Sequence, residues 1–138
     1  ILLLTSCTEK PGKVVVLETG EKVWAGIIWD GHLMPLSKDY SHDFYGTNKS
    51  NQLQPLLLTN KGQFVWSEEP FKFEMVNNQI IITDPFGTVV TGKQGSTLAE
   101  VQRFVSETYF PASGLLPDNA VAFYPSNSHN ENTVSPMI

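Results

Sequence analysis

Apolar and polar positions alternate with a period of two across much of residues 13–91, then switch to a helical period after Thr97. Phe71-Lys72-Phe73-Glu74-Met75 puts its apolar residues on one face of a strand and its charges on the other. Gln63 to Ser67 places Phe64 and Trp66 on one face, with Gln63, Val65 and Ser67 opposite. Lys13 to Leu17, Val23 to Trp29, Gln79 to Thr83 and Thr88 to Thr91 are rich in the β-branched and aromatic residues that suit strands. Between them stand turn signals: Asp30-Gly31, Asn60-Lys61-Gly62, Asn77-Asn78 and Pro85-Phe86-Gly87. Leu53 to Thr59 is a further strand, broken by Pro55, which has no N–H to give a ladder. That segment is expected at a sheet edge, or starting after the proline. Short strands with turns roughly every 8–12 residues predict a mainly β fold, an antiparallel β-sandwich.

One helix follows. Thr97-Leu98-Ala99-Glu100 has the spacing of a capping box, in which the Thr97 hydroxyl accepts from the Glu100 amide and the Glu100 carboxylate reaches back. Leu98, Val101, Phe104, Val105 and Tyr109 form one apolar stripe, and Pro111 stops the helix. Such a stripe is read as packing rather than as a binding groove.

Residues 32–52 carry no clear period, and long irregular segments are often functional. At the start, four aliphatic residues precede Thr5-Ser6-Cys7, which resembles the end of a signal peptide with a bacterial lipobox. Cys7 would then be acylated and anchor the protein in a membrane; the alternative is a buried first strand with a free thiol. At the other end, Ser126 to Ile138 is Asn- and Ser-rich without period. The expected organisation is a signal-peptide remnant and linker over 1–12, a sandwich over 13–95, a helix and linker over 96–119, and a disordered or frame-shifted tail over 120–138.

Composition narrows the function classes. Nine Lys plus Arg against fourteen Asp plus Glu give a net charge of −5, and Arg103 is the lone arginine. A nucleic-acid partner would need a basic stripe, and so would an anionic membrane surface, so membrane contact is expected only through Cys7. One cysteine excludes an internal disulfide and a cysteine-rich zinc site. The 138 residues are too few for a complete (β/α)8 barrel. No phosphate-binding glycine loop and no Gly-x-Ser-x-Gly elbow is present. His32, His42 and His129 lack metal-ligand spacing; Asp30 with His32, or Asp39, His42 and Asp43, read first as solvated loop residues. Glu68 and Glu69 are adjacent, so a regular strand points them to opposite faces and they cannot flank one glycosidic bond. No cofactor and no metal site is expected.

Two segments carry a resemblance. Gln52 to Phe71, reading QLQPLLLTNKGQFVWSEEPF, resembles a stretch of the N-terminal domain of glycoside hydrolase family 31 in its Bacteroidetes-type lipoprotein members. Tyr109 to Asp118, YFPASGLLPD, is similar to the segment leading from that domain to the catalytic barrel. Phe44-Tyr45-Gly46 resembles the family's Tyr-Gly segment, though Thr47-Asn48 replaces the Gly-Glu that often continues it. The resemblance spans roughly residues 13–119 and ends near Asp118. It implies a galactose-mutarotase-like N-terminal sandwich that packs on a (β/α)8 barrel and sends one loop toward the active-site mouth. The family's nucleophile and acid/base aspartates lie on the barrel, so no residue of this chain inherits a catalytic role. The segment 39–52 is the candidate loop. Asp43, Asn48, Asn51 and Gln52 are expected to bond sugar hydroxyls and Tyr45 to stack on a sugar face. Trp24, Trp29 and Trp66, placed on strands, are read as core or barrel-interface packing.

The expected function is therefore a non-catalytic domain of a retaining α-glycosidase, lipid-anchored in a bacterial periplasm or at the cell surface, with the barrel and carbohydrate as partners. The alternative is a stand-alone carbohydrate-binding lipoprotein domain. A third reading is a purely structural interaction domain with an exposed apolar face.

Overall fold

Val15, Ile80, Met75, Ile82 and Phe73 are the inward residues of three alternating segments, and they become one face of a sheet. A computed structural model describes residues 12–46 and 52–114. The strands are β1 (Lys13–Val16), β2 (Val23–Ile27), β3 (Ser41–Asp43), β4 (Leu53–Thr59), β5 (Gln63–Trp66), β6 (Lys72–Val76), β7 (Gln79–Thr83) and β8 (Val90–Lys93). The helix α1 spans Leu98–Tyr109. Two four-stranded antiparallel sheets form, in the orders β1-β7-β6-β3 and β2-β4-β5-β8. The fold is mainly β: a sandwich followed by one helix, as the alternation predicts.

The sheets enclose a core of Val15, Val23, Ile27, Leu57, Val65, Phe71, Phe73, Ile80, Ile82 and their neighbours. β5 is covered on both sides. Val65 faces this inner core, while Phe64 and Trp66 face outward under α1 and meet Val101, Val105, Phe104 and Tyr109. The helix thus roofs the outer face of β4 and β5 with the stripe read from the sequence. Its capping box is present, with both reciprocal bonds between Thr97 and Glu100. Gly92 pairs with Phe64 across the strands, and a Cβ there would lie 2.6 Å from the Phe64 ring. A side chain at that position would displace the ring from under the helix.

Two boundaries differ from expectation. β4 runs straight through Pro55 and lies inside its sheet, between β2 and β5. The proline is tolerated because the β2 ladder shifts register there: Ala25 pairs with Leu57, but Gly26 pairs with Gln54. Pro55 falls in that bulge, and its carbonyl accepts from the Ser67 amide at 3.1 Å. Thr88-Val89 precedes the last strand, which starts only at Val90. The Asp84 carboxylate takes the amides of Gly87, Thr88 and Val89, holding them in a turn. Among its described residues, the irregular stretch after β2 contains a 3-10 turn, Gly31–Leu33, and the short strand β3.

Candidate functional site

β3 is an edge strand three residues long, paired with β6 so that Asp43 lies opposite Lys72. Beyond it, the chain is fixed by alternating anchors. Phe44 turns inward, 4 % exposed, with its amide bonded to the Phe71 carbonyl at 3.1 Å and its ring edge-on to Phe71. Asp43 Oδ1 accepts from the Tyr45 amide at 2.8 Å, closing an Asx turn. The Tyr45 side chain then stands 73 % exposed. An exposed ring on a backbone anchored by the two residues before it is held for contact rather than for packing.

The β7–β8 connection comes to the same place. β7 ends at Thr83, opposite Lys72, and Asp84 clamps the next turn through the three amides described above. Gly87 takes φ +73° to close that turn. Phe86, 48 % exposed, is presented at its tip. Asp43, Tyr45, Phe71, Lys72, Thr83 and Phe86, with Pro70 and Pro85, line a hollow of about 320 Å³. Its polar side-chain groups are the Asp43 carboxylate, the Lys72 ammonium and the hydroxyls of Tyr45 and Thr83. The Lys72 ammonium lies 2.8 Å from Glu74 on the same strand face.

A second, more open hollow of about 790 Å³ borders Ala25, Gly26, Ile28, Met34, Gln52 and Gln54, where the β2–β4 register shifts. Both hollows sit at one end of the sandwich. The antiparallel ladders bring Ile27, Leu53, Trp66 and Val90 of one sheet to the same end as Asp43, Lys72 and Thr83 of the other. The residues that follow β3, Phe44 to Gly46, and Gln52 before β4 lie at this end.

The expected loop residues therefore divide. Asp43 and Tyr45 line the smaller hollow, and Gln52 lines the larger. Asn48, Asn51 and Cys7 lie outside the described residues. Among the tryptophans, Trp66 packs under α1, whereas Trp29 lies past the end of β2 and is 58 % exposed, outside the core. Glu68 and Glu69 face water, with the Glu69 amide bonded to Ser67 Oγ. Among the described residues no group of three or more His, Cys, Asp and Glu side chains is placed to hold a metal ion. Asp30 instead accepts from the Tyr40 hydroxyl at 2.7 Å. Burial first, then that hydrogen bond and the Asp30 charge, push the Tyr40 hydroxyl well above its usual range.

Phe86 and Asp84 are members of the site that a reading of the chain as strands and turns passes over. The signal was an aspartate three residues before Gly87, the pattern of a side chain that caps its own turn. No family model matches this chain, and no curated protein matches its sequence. No described helix is long and apolar enough to cross a membrane.

Proposed function

We propose that this chain is a non-catalytic, carbohydrate-associated β-sandwich domain of a retaining α-glycosidase. Its saccharide-facing end is the one where β3 ends and β4 begins. There it shapes the substrate entrance of a catalytic barrel. The observation that carries the reading is the position of Asp43, Tyr45 and Gln52. All three border hollows at that single end of the sandwich, flanking the segment that the family resemblance assigns to the active-site mouth. Lipid anchoring through Cys7 at a periplasmic or cell-surface membrane belongs to the same proposal. The exposure of Tyr45 and Phe86 also favours the second reading, in which the sandwich itself binds carbohydrate.

The test has two parts. The purified chain should release no p-nitrophenol from p-nitrophenyl α-glycosides, because bond cleavage requires a carboxylate pair flanking the bond. Backbone amide NMR during titration with neutral oligosaccharides should show shifts confined to residues at this end. Turnover by the chain, or shifts confined to the opposite end around Glu21 and Thr59, would overturn the proposal.

A further inference from the structure

We infer that the hollow between the Tyr45 turn and the Phe86 turn is a binding site for one or two rings of a neutral saccharide. Phe86 is its principal platform. The inference rests on the proposed function and names the ligand class and the residues that take it.

Three observations carry it. First, two aromatic side chains border one hollow while exposed to solvent, and neither is left there by a loose loop. Tyr45 is held by the Asp43 carboxylate and by the buried anchor Phe44. Phe86 is held by the triple clasp of Asp84 on the backbone that follows it. Exposed apolar rings on fixed backbone offer flat faces at little cost in ordering, which suits the C–H face of a pyranose.

Second, the polar groups match a neutral ligand. Asp43 and Lys72 lie opposite each other on β3 and β6, the Lys72 ammonium is also paired with Glu74 at 2.8 Å, and the Thr83 hydroxyl lies on the next strand, so charges of both signs border the hollow. An anionic or cationic ligand would meet a like charge in either case. Hydroxyls that both donate and accept satisfy both: they give to the carboxylate and Thr83 and receive from the ammonium. Asp43 spends Oδ1 on the Tyr45 amide, and Oδ2 has no protein hydrogen bond among the described residues.

Third, the size fits. A volume of about 320 Å³ is at the small end of ligand pockets. A proline-rich peptide needs a longer aromatic-lined groove than this short hollow supplies.

The experiment is amide NMR and calorimetric titration of the full chain with maltotriose, cellotriose and a proline decamer. Wild type is compared with Phe86→Ala, Tyr45→Ala and Gln54→Ala. The three altered side chains are solvent-facing, so circular dichroism and melting should match wild type. At least one saccharide is expected to shift Tyr45, Thr83 and Phe86 amides. Phe86→Ala should weaken binding about tenfold or more, Tyr45→Ala less, and Gln54→Ala not at all. Saccharide shifts at Gln52–Gln54 with none at Phe86 would overturn this inference and leave the proposed function standing. Equal affinity of wild type and Phe86→Ala would do the same. Binding of the decamer alone, or no saccharide shifts anywhere, would overturn both.

Discussion

Trp66 and Tyr109 stack face to face, with ring centroids 4.0 Å apart and planes 16° apart. This contact seals the C-terminal end of α1 onto the outer face of β5. Phe110 adds an edge contact to the same indole at 6.4 Å. Removing the ring by Tyr109→Ala should cost about 2–4 kcal/mol in urea unfolding, whereas Tyr109→Phe should fall within about 0.5 kcal/mol of wild type. The indole Nε1 is buried and has no hydrogen-bond partner among the described residues. Trp66→Phe should therefore cost less than the lost apolar area suggests, since it also removes an unsatisfied donor.

Thr59 is 1 % exposed at the opposite end of the sandwich and joins three segments. Its hydroxyl donates to Glu21 and accepts from the amides of Gln63 at 3.0 Å and Lys61 at 3.3 Å. The Gln63 side chain in turn bonds Glu21 and the Val16 carbonyl. Thr59→Val keeps the shape but strands these partners, and should lose about 1–3 kcal/mol. Thr59→Ser keeps the hydroxyl and should lose only about 0.8 kcal/mol, the value of one methyl-sized group. Urea midpoints of the two variants decide between a polar and a steric role.

Alkaline pH should weaken the fold through Tyr40. Its hydroxyl pKa is raised above the ordinary 10.0 in the folded state by burial and by Asp30. A raised pKa means the folded protein holds the proton more tightly than the unfolded chain. Its contribution is whole below about pH 10 and is lost as the pH climbs toward the raised value. Tyr40→Phe should be about 1 kcal/mol less stable near neutral pH and should show a flatter loss of stability above about pH 10. In an absorbance titration of tyrosinate, wild type should show a late-ionising phenol that this variant lacks.

Acid should loosen the start of α1. The Glu100 pKa is lowered, first by the Ser96 amide and then by the Thr97 hydroxyl and amide, with burial opposing. A lowered pKa gives stability that is present above the ordinary glutamate value of 4.5 and lost as the pH falls through the lower folded value. Hydrogen exchange at Ser96 and Thr97 should accelerate in that acid window, and Glu100→Gln should remove the pH dependence. Thr97→Ala should cost about 1 kcal/mol near neutral pH, as the loss of an N-cap, and less in acid, where the Thr97 hydroxyl no longer meets an ionised Glu100.

The candidate site was legible only in part. Asp43 and Tyr45 stand out because they sit in a long segment without period, and both reach one hollow. Gln52 belongs to the same segment yet borders a different hollow, because β3 and β4 lie in opposite sheets. Phe86 looked like a turn residue, and nothing near it in the chain marks Tyr45 as a neighbour.

What the sequence determined by itself is local. The alternation of Phe71 to Met75 and the run QIIIT set two strands, because side chains on a pleated strand must face alternate ways. Thr97 and Glu100 set the helix start because both bonds of the box lie within one turn. The tertiary structure decided what depends on partners distant in the chain. A proline is admitted to an interior strand once a register shift on β2 removes the need for its N–H. Trp66 faces α1, while Trp29 lies beyond its strand in solvent. The Tyr45–Phe86 hollow exists only because the ladders of β3, β6 and β7 bring two separate turns to one end of the sandwich.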